Sequence, residues 1–143
     1  MRYEVTGGDK RKQDIVHKAM SHVIHLVKIP NNVYVEIDFI RSGTHGVIQD
    51  TKTRFLLEIV NTVSLAEIAY TVFHEMKHIE QMTSGKLLHT HDKTLWIGED
   101  HTDTAYLDCP WEVEAYKFER SADLMLTSFA PTLILGTQKE ERV

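Results

Sequence analysis

Ser64-Leu65-Ala66-Glu67-Ile68-Ala69-Tyr70-Thr71-Val72-Phe73-His74-Glu75-Met76-Lys77-His78-Ile79 is the stretch on which the fold of this chain turns. Ser64 and Glu67 stand at the spacing of a capping box, in which a hydroxyl and a carboxylate satisfy amides that a helix start leaves unpaired. A helix should therefore begin here. Leu65, Ile68, Ala69, Val72, Met76 and Ile79 recur at helical spacing as one apolar stripe, and His74 and His78 fall on the other side of it. The pentad from His74 to His78 reads HExxH. One helical turn separates its two imidazoles, so both leave the same face and can grip a single metal ion. Glu75 lies close enough to take a proton from a water on that metal, which is the chemistry of a zinc-dependent hydrolase.

Working outward, Ile15, Ala19, Val23, Leu26 and Val27 recur at helical spacing over residues 12–29, and Pro30-Asn31-Asn32 stops that helix. Val33, Val35, Ile37 and Phe39 then alternate with Tyr34, Glu36, Asp38 and Ile40, the period of a half-buried strand. After the turn residues 41–46 a weaker strand is expected over 47–49, and Phe55, Leu57 and Ile59 alternate again. These segments suggest an antiparallel meander of about three short strands. Beyond Ser84-Gly85, residues 86–108 read as a long polar loop around Leu95-Trp96-Ile97 that can cover a site. A last helix starts near Pro110, with Phe118, Ala122, Met125 and Phe129 as its buried stripe and Pro131 at its end. The fold class is α+β.

A chain of 143 residues with 42% hydrophobic content makes one domain, 1–143, with a polar tail over 136–143 that should fray. Net charge of −5 gives no basic footprint. The cluster Lys10-Arg11-Lys12 reads as a solvated helix start, so no nucleic-acid partner is expected. The lone Cys109 cannot form an internal disulfide, and Met1-Arg2-Tyr3-Glu4 lacks the apolar core of a secretion signal. A cytoplasmic protein is expected. No apolar run approaches the roughly 20 residues that span a bilayer, so no membrane partner is expected either.

Catalytic zinc takes three protein ligands and leaves one position open. The extended motif HExxHxxGxxH fails, because Gln81 and Ser84 stand where it needs Gly and His. Downstream, Pro110-Trp111-Glu112-Val113-Glu114-Ala115-Tyr116-Lys117-Phe118-Glu119 carries several carboxylates on a helix. Glu112 and Glu114 both flank its apolar stripe, so periodicity does not choose between them. Asp103-Thr104-Ala105-Tyr106 echoes the D-x-x-Y of aspartate-ligated zincins and makes Asp103 a further candidate. A carboxylate in the first turn of a helix is also favoured by the helix dipole alone, which is the structural explanation of Glu112.

With Glu112-Val113-Glu114-Ala115 matching the E-x-x-A motif, the chain resembles a compact gluzincin, the metallopeptidase class whose third ligand is a downstream helical glutamate, and the ImmA/IrrE-type proteases in particular. It also resembles small, often phage-encoded metallopeptidase-like proteins, through Gly85-Lys86-Leu87, Trp96-Ile97-Gly98 and Pro110 to Ala115. The resemblance covers most of residues 10–130. It implies a minimal zincin-like fold: N-terminal helix, small antiparallel sheet, HExxH helix, long loop and glutamate-bearing helix. It further implies Zn²⁺ held by His74, His78 and Glu112, Glu75 as general base, a peptide or protein substrate and, for a phage protein, the host cytoplasm. One departure stands out. Position 116 is Tyr where many E-x-x-A families have Asp or Asn behind a ligating His, so that His must be oriented from elsewhere, by a backbone carbonyl or Asp108.

His17, His22 and His25 on the first helix read as structural or solvated. Any of His89, His91 and His101 can approach the metal or polarise a carbonyl, and Tyr106 or one of these can stabilise an oxyanion; spacing does not decide. Trp96 reads as part of a satellite core. A peptide can pair with an exposed edge strand, for which segment 44–49 is the candidate. The rival reading is a non-catalytic zinc-binding module that sequesters a regulatory protein, for which a closed site with a fourth ligand such as His101 is the expected mark. Oligomeric state is not legible.

Overall fold

The computed structural model describes residues 1–61 and 63–129, without the side chains of 123–129. The elements run β1 (Arg2–Thr6), α1 (Lys10–Val23), β2 (Tyr34–Ile40), β3 (Gly46–Thr51), β4 (Arg54–Val60), α2 (Leu65–Thr83), β5 (Leu87–His89), β6 (Thr94–Trp96), β7 (Glu99–Asp100), a 3-10 turn (Tyr106–Asp108) and α3 (Pro110–Phe129). The class is α+β, as expected, but the sheet is not a three-stranded antiparallel meander. It has four strands in the order β1-β2-β4-β3, with β1 parallel to β2, β2 parallel to β4, and only β3 antiparallel to its neighbour.

Burial explains that order. In β4, Phe55, Leu57 and Ile59 are buried on one face while Leu56, Glu58 and Val60 are half-buried on the other, so β4 belongs inside the sheet. Gly46-Val47-Ile48-Gln49-Asp50-Thr51 is mostly exposed and takes the edge, where a bulge near Thr51 and three polar side chains blunt it. The chain therefore leaves β2, passes the end of β4 to lay down β3, and returns through a tight hairpin to insert β4 between them. Strand β1 is an addition to the expected elements, although Tyr3 and Val5 alternate with Arg2, Glu4 and Thr6 ahead of Gly7-Gly8. Gly8, at φ +66°, needs to be glycine because a Cβ would sit 2.8 Å from the Phe39 ring.

One core joins this sheet to the helices. Val35, Ile37, Phe55, Leu57 and Ile59 from the sheet meet Ile15, Val16, Ala19, Met20 and Val23 of α1 and the expected stripe of α2. Helix α1 ends at Val23, earlier than expected; Leu26 and Val27 bond back to the Val23 carbonyl in a turn and still pack on the core. Helix α2 begins where its sequence predicts and shows the serine half of the capping box, the Ser64 hydroxyl accepting from the Glu67 amide at 3.1 Å. Helix α3 packs on α2 with Ala122 buried and Phe118 partly so, while the side chains of Met125 and Phe129, and Pro131 with the tail 136–143, lie outside the described residues.

The expected long loop is instead a small antiparallel sheet, β5-β6-β7. Ile97 and Gly98 both have positive φ, the signature of a tight primed turn between β6 and β7. Trp96 and Met82 pack on Leu87, Cys109 and Trp111, the satellite core anticipated for Trp96. This cluster fastens the start of α3 against the end of α2. Among the described residues, no helix is long and apolar enough to cross a membrane.

Candidate metal centre

His74, His78 and Glu112 are brought together by the packing of α2 on α3, and they form a group that can hold a metal ion. His74 Nε2 lies 3.0 Å from Glu112 Oε1, His78 Nε2 lies 3.2 Å from the same carboxylate, and the two Nε2 atoms are 3.1 Å apart. All three residues are buried. Around a tetrahedral zinc with bonds of about 2.0–2.1 Å, ligand atoms stand about 3.3–3.4 Å apart, so this triangle needs to open by only a few tenths of an ångström. Glu114 instead accepts from Gln81 at 3.1 Å and neighbours Lys77, and Asp103 is exposed in the segment before the 3-10 turn. Of the three carboxylates weighed from sequence, the structure gathers Glu112 alone. His101 stacks its edge on Trp111 rather than joining the group, which has no fourth His, Cys, Asp or Glu among the described residues.

The outward nitrogens of both imidazoles have fixed partners. His74 Nδ1 meets Glu119 Oε1 at 3.1 Å, and His78 Nδ1 meets Gln81 Oε1 at 2.7 Å. Neither a backbone carbonyl nor Asp108 fills this role; Glu119 sits two helical turns beyond Glu112 on the same face, and Gln81 one turn beyond His78. Tyr116, standing where many E-x-x-A families have Asp or Asn, lays its ring 4.5 Å from that of His74. With Nδ1 donating outward, each neutral imidazole turns a lone pair toward the other and toward the Glu112 carboxylate. Three facing donor atoms of this kind are stable only with positive charge between them, which fits a cation.

Without a metal, protons supply that charge. Burial opposes charge on His74, but its hydrogen bonds to Glu112 and Glu119 outweigh it and raise the pKa to about 9; His78 is raised in the same way through Glu112. Burial likewise opposes ionisation of Glu112, and its bonds to the two histidines win and hold its pKa at about 2. Glu75 is buried beside them, accepts no hydrogen bond from any described residue, and has its pKa raised by burial against the pull of His78 and His74. A carboxylate displaced upward toward neutrality suits a general base.

Two cavities meet at this centre. The larger, about 680 Å³, runs between β3 and the satellite core, with Val47, Met82, Leu87 and Trp111 on its walls. The smaller, about 320 Å³, lies on the His74 side and is polar, lined by Glu67, Tyr70, Thr71, Tyr116 and Glu119 among others. Both are bounded by Glu75, Tyr106 and His45. The Tyr106 hydroxyl donates to Glu112 Oε1 at 3.1 Å and lies 3.3 Å from the Tyr116 hydroxyl; burial and those neighbours raise its pKa, so it stays a donor. Of the loop histidines His89 lines the larger cavity, whereas His17 and His22 bond Tyr3 and the Ala122 carbonyl, away from the site. His45 carries no signal in the sequence beyond its place in a turn.

Compared with protein-family models, curated proteins and solved structures, the chain matches none.

Proposed function

We propose that this protein is a zinc metallopeptidase in which His74, His78 and Glu112 hold the metal and Glu75 is the general base. One observation carries the reading: two imidazoles whose outward nitrogens are held by Glu119 and Gln81 and a carboxylate converge on one point, beside a buried Glu75 that is hydrogen-bonded to no described residue, in an open cleft. A zinc ion held there supplies Lewis-acid polarisation of the scissile carbonyl and acidifies a water. Glu75 takes a proton from the attacking water as the new carbon–oxygen bond forms, then delivers it to the amine nitrogen as the carbon–nitrogen bond breaks. Glu119 and Gln81 hold the imidazoles in the ligating tautomer.

The sheet edge supports a peptide as substrate. One side of β3 pairs with β4 and the other borders the cleft, so an extended chain can add to β3 and cross the centre. Its side chain in the larger cavity then lies among Val47, Met82, Leu87 and Trp111. The rival reading, a closed zinc module that only sequesters a protein, gains nothing from a three-residue group with a free base beside it.

The test is metal content by mass spectrometry on protein purified without added metal, with peptide cleavage on the same samples. Wild type, Glu114→Ala and Asp103→Ala should carry near-stoichiometric zinc, Glu112→Ala should not, and Glu75→Gln should keep zinc and lose turnover. An active Glu75→Gln protein, or a wild type that refuses zinc, overturns the proposal.

A further inference from the structure

His45 precedes the edge strand, and its ring is tied to the sheet in an informative way. The Val60 amide donates to His45 Nδ1 at 3.0 Å. A nitrogen that accepts must present its lone pair, so the neutral ring carries its proton on Nε2. That Nε2–H has no hydrogen-bond partner among the described residues, nor is it among the buried atoms left unpaired. It is therefore a solvent-facing donor of fixed tautomer, on a ring anchored to the end of β4 rather than free on a loop.

Its position is equally specific. Among the described residues, only Glu75, Tyr106 and His45 line both cavities, so these three surround the junction where a peptide crossing from one cavity to the other would have its scissile bond. Glu75 handles the proton of the water. The Tyr106 hydroxyl is already committed to Glu112. His45 is the uncommitted donor.

Resting on the peptidase reading above, we propose that His45 is a catalytic residue whose Nε2–H donates to the scissile carbonyl oxygen as it gains negative charge during water attack. A donor held in place before the reaction stabilises that charge without reorganisation, and the Val60 bond provides the holding. The same bond gives His45 a structural duty, closing the end of β4, and the two duties can be separated by substitution. His45→Asn keeps an acceptor where Nδ1 stands and removes the reach of Nε2. His45→Gln keeps an amide donor near Nε2 and gives up the Val60 bond.

The experiment uses the zinc-loaded full chain, a library of internally quenched peptides, and a phosphoramidate dipeptide whose tetrahedral anion resembles the charged carbonyl. His45→Asn should retain zinc and melting temperature, lose on the order of 10²- to 10³-fold in kcat with little change in KM, and bind the phosphoramidate roughly ten- to a hundredfold more weakly. His45→Gln should melt lower yet recover part of the kcat. An Asn variant that matches wild type in turnover and in phosphoramidate affinity overturns the role of His45 while leaving the peptidase intact. A Gln variant no more active than Asn overturns it as well. A zinc-loaded wild type that neither cleaves the library nor binds the phosphoramidate removes the peptidase reading, and this role with it.

Discussion

Replacing Gln81 by Met should damage metal affinity and fold together, by amounts the contacts define. Gln81 is 1% exposed and uses both polar atoms of its side chain: Oε1 accepts from His78 Nδ1 of its own helix at 2.7 Å, and Nε2 joins α2 to α3, donating to the Trp111 carbonyl at 3.0 Å and to Glu114 at 3.1 Å. Met conserves the volume but satisfies none of these. The half-exposed Glu114 turns to solvent at little cost and the Trp111 carbonyl keeps its helical bond within α3, whereas His78 Nδ1–H stays buried and unpaired. One orphaned group gives a loss of about 1–3 kcal/mol, or about 5 °C in melting temperature for a domain of this size. Separately, His78 loses the partner that fixes its ligating tautomer, for which roughly 10- to 100-fold weaker metal binding is expected. Competition against a chromophoric zinc chelator measures the second effect, and thermal denaturation of chelator-treated protein measures the first. Zinc affinity within twofold of wild type would show that Gln81 does not orient His78.

Glu119→Gln should weaken zinc binding in the same range while leaving the metal-free fold less disturbed, since Glu119 is more exposed than Gln81; unchanged affinity in the chelator assay counts against its role. The metal-free cluster should impose a pH window. The raised His74 stabilises fully below pH 6.5 and loses its contribution as pH rises through about 9, while the depressed Glu112 stabilises above pH 4.5 and loses its contribution as pH falls through about 2. Denaturant titration of chelator-treated protein should thus find this contribution whole between pH 4.5 and 6.5, and stability climbing from pH 7 to 9 refutes the assignment. Because His74 is charged at neutral pH without metal, zinc uptake should release protons, seen as a buffer-dependent binding enthalpy in calorimetry. Ile97 holds φ +50° at an exposed turn and is followed by Gly98, so Ile97→Asn should stabilise by about 1 kcal/mol in equilibrium unfolding; a loss of stability would mean that its side chain packs more than its 67% exposure allows.

Local chemistry written within one element was legible in the sequence. The Ser64 cap, the apolar stripe of α2, the pairing of His74 with His78 and the start of α3 at Pro110 each depend on residues within a turn or two of one another. Sheet order was not, because β2 and β4 are parallel neighbours with β3 outside them, and alternation reports which face is buried without reporting which strand lies beside which. The choice of Glu112 over Glu114 needed the E-x-x-A resemblance, since both flank the same stripe and only the packing of α3 on α2 separates them. Glu119 was within reach, lying two turns after Glu112 on one face. His45 was not, because its meaning comes from the Val60 amide at the end of another strand.

Between His78 and Glu112 the chain makes its whole excursion through β5, β6 and β7 before returning to α2. A metal held by both residues is then a removable cross-link closing a loop of more than thirty residues, and cross-links of that span restrict the unfolded chain by about 4 kcal/mol. The lifetime of this protein in a cell would accordingly follow the supply of the ion. Scarcity would lengthen the time that the excursion spends open to proteolysis, and the abundance of the protein would report metal status.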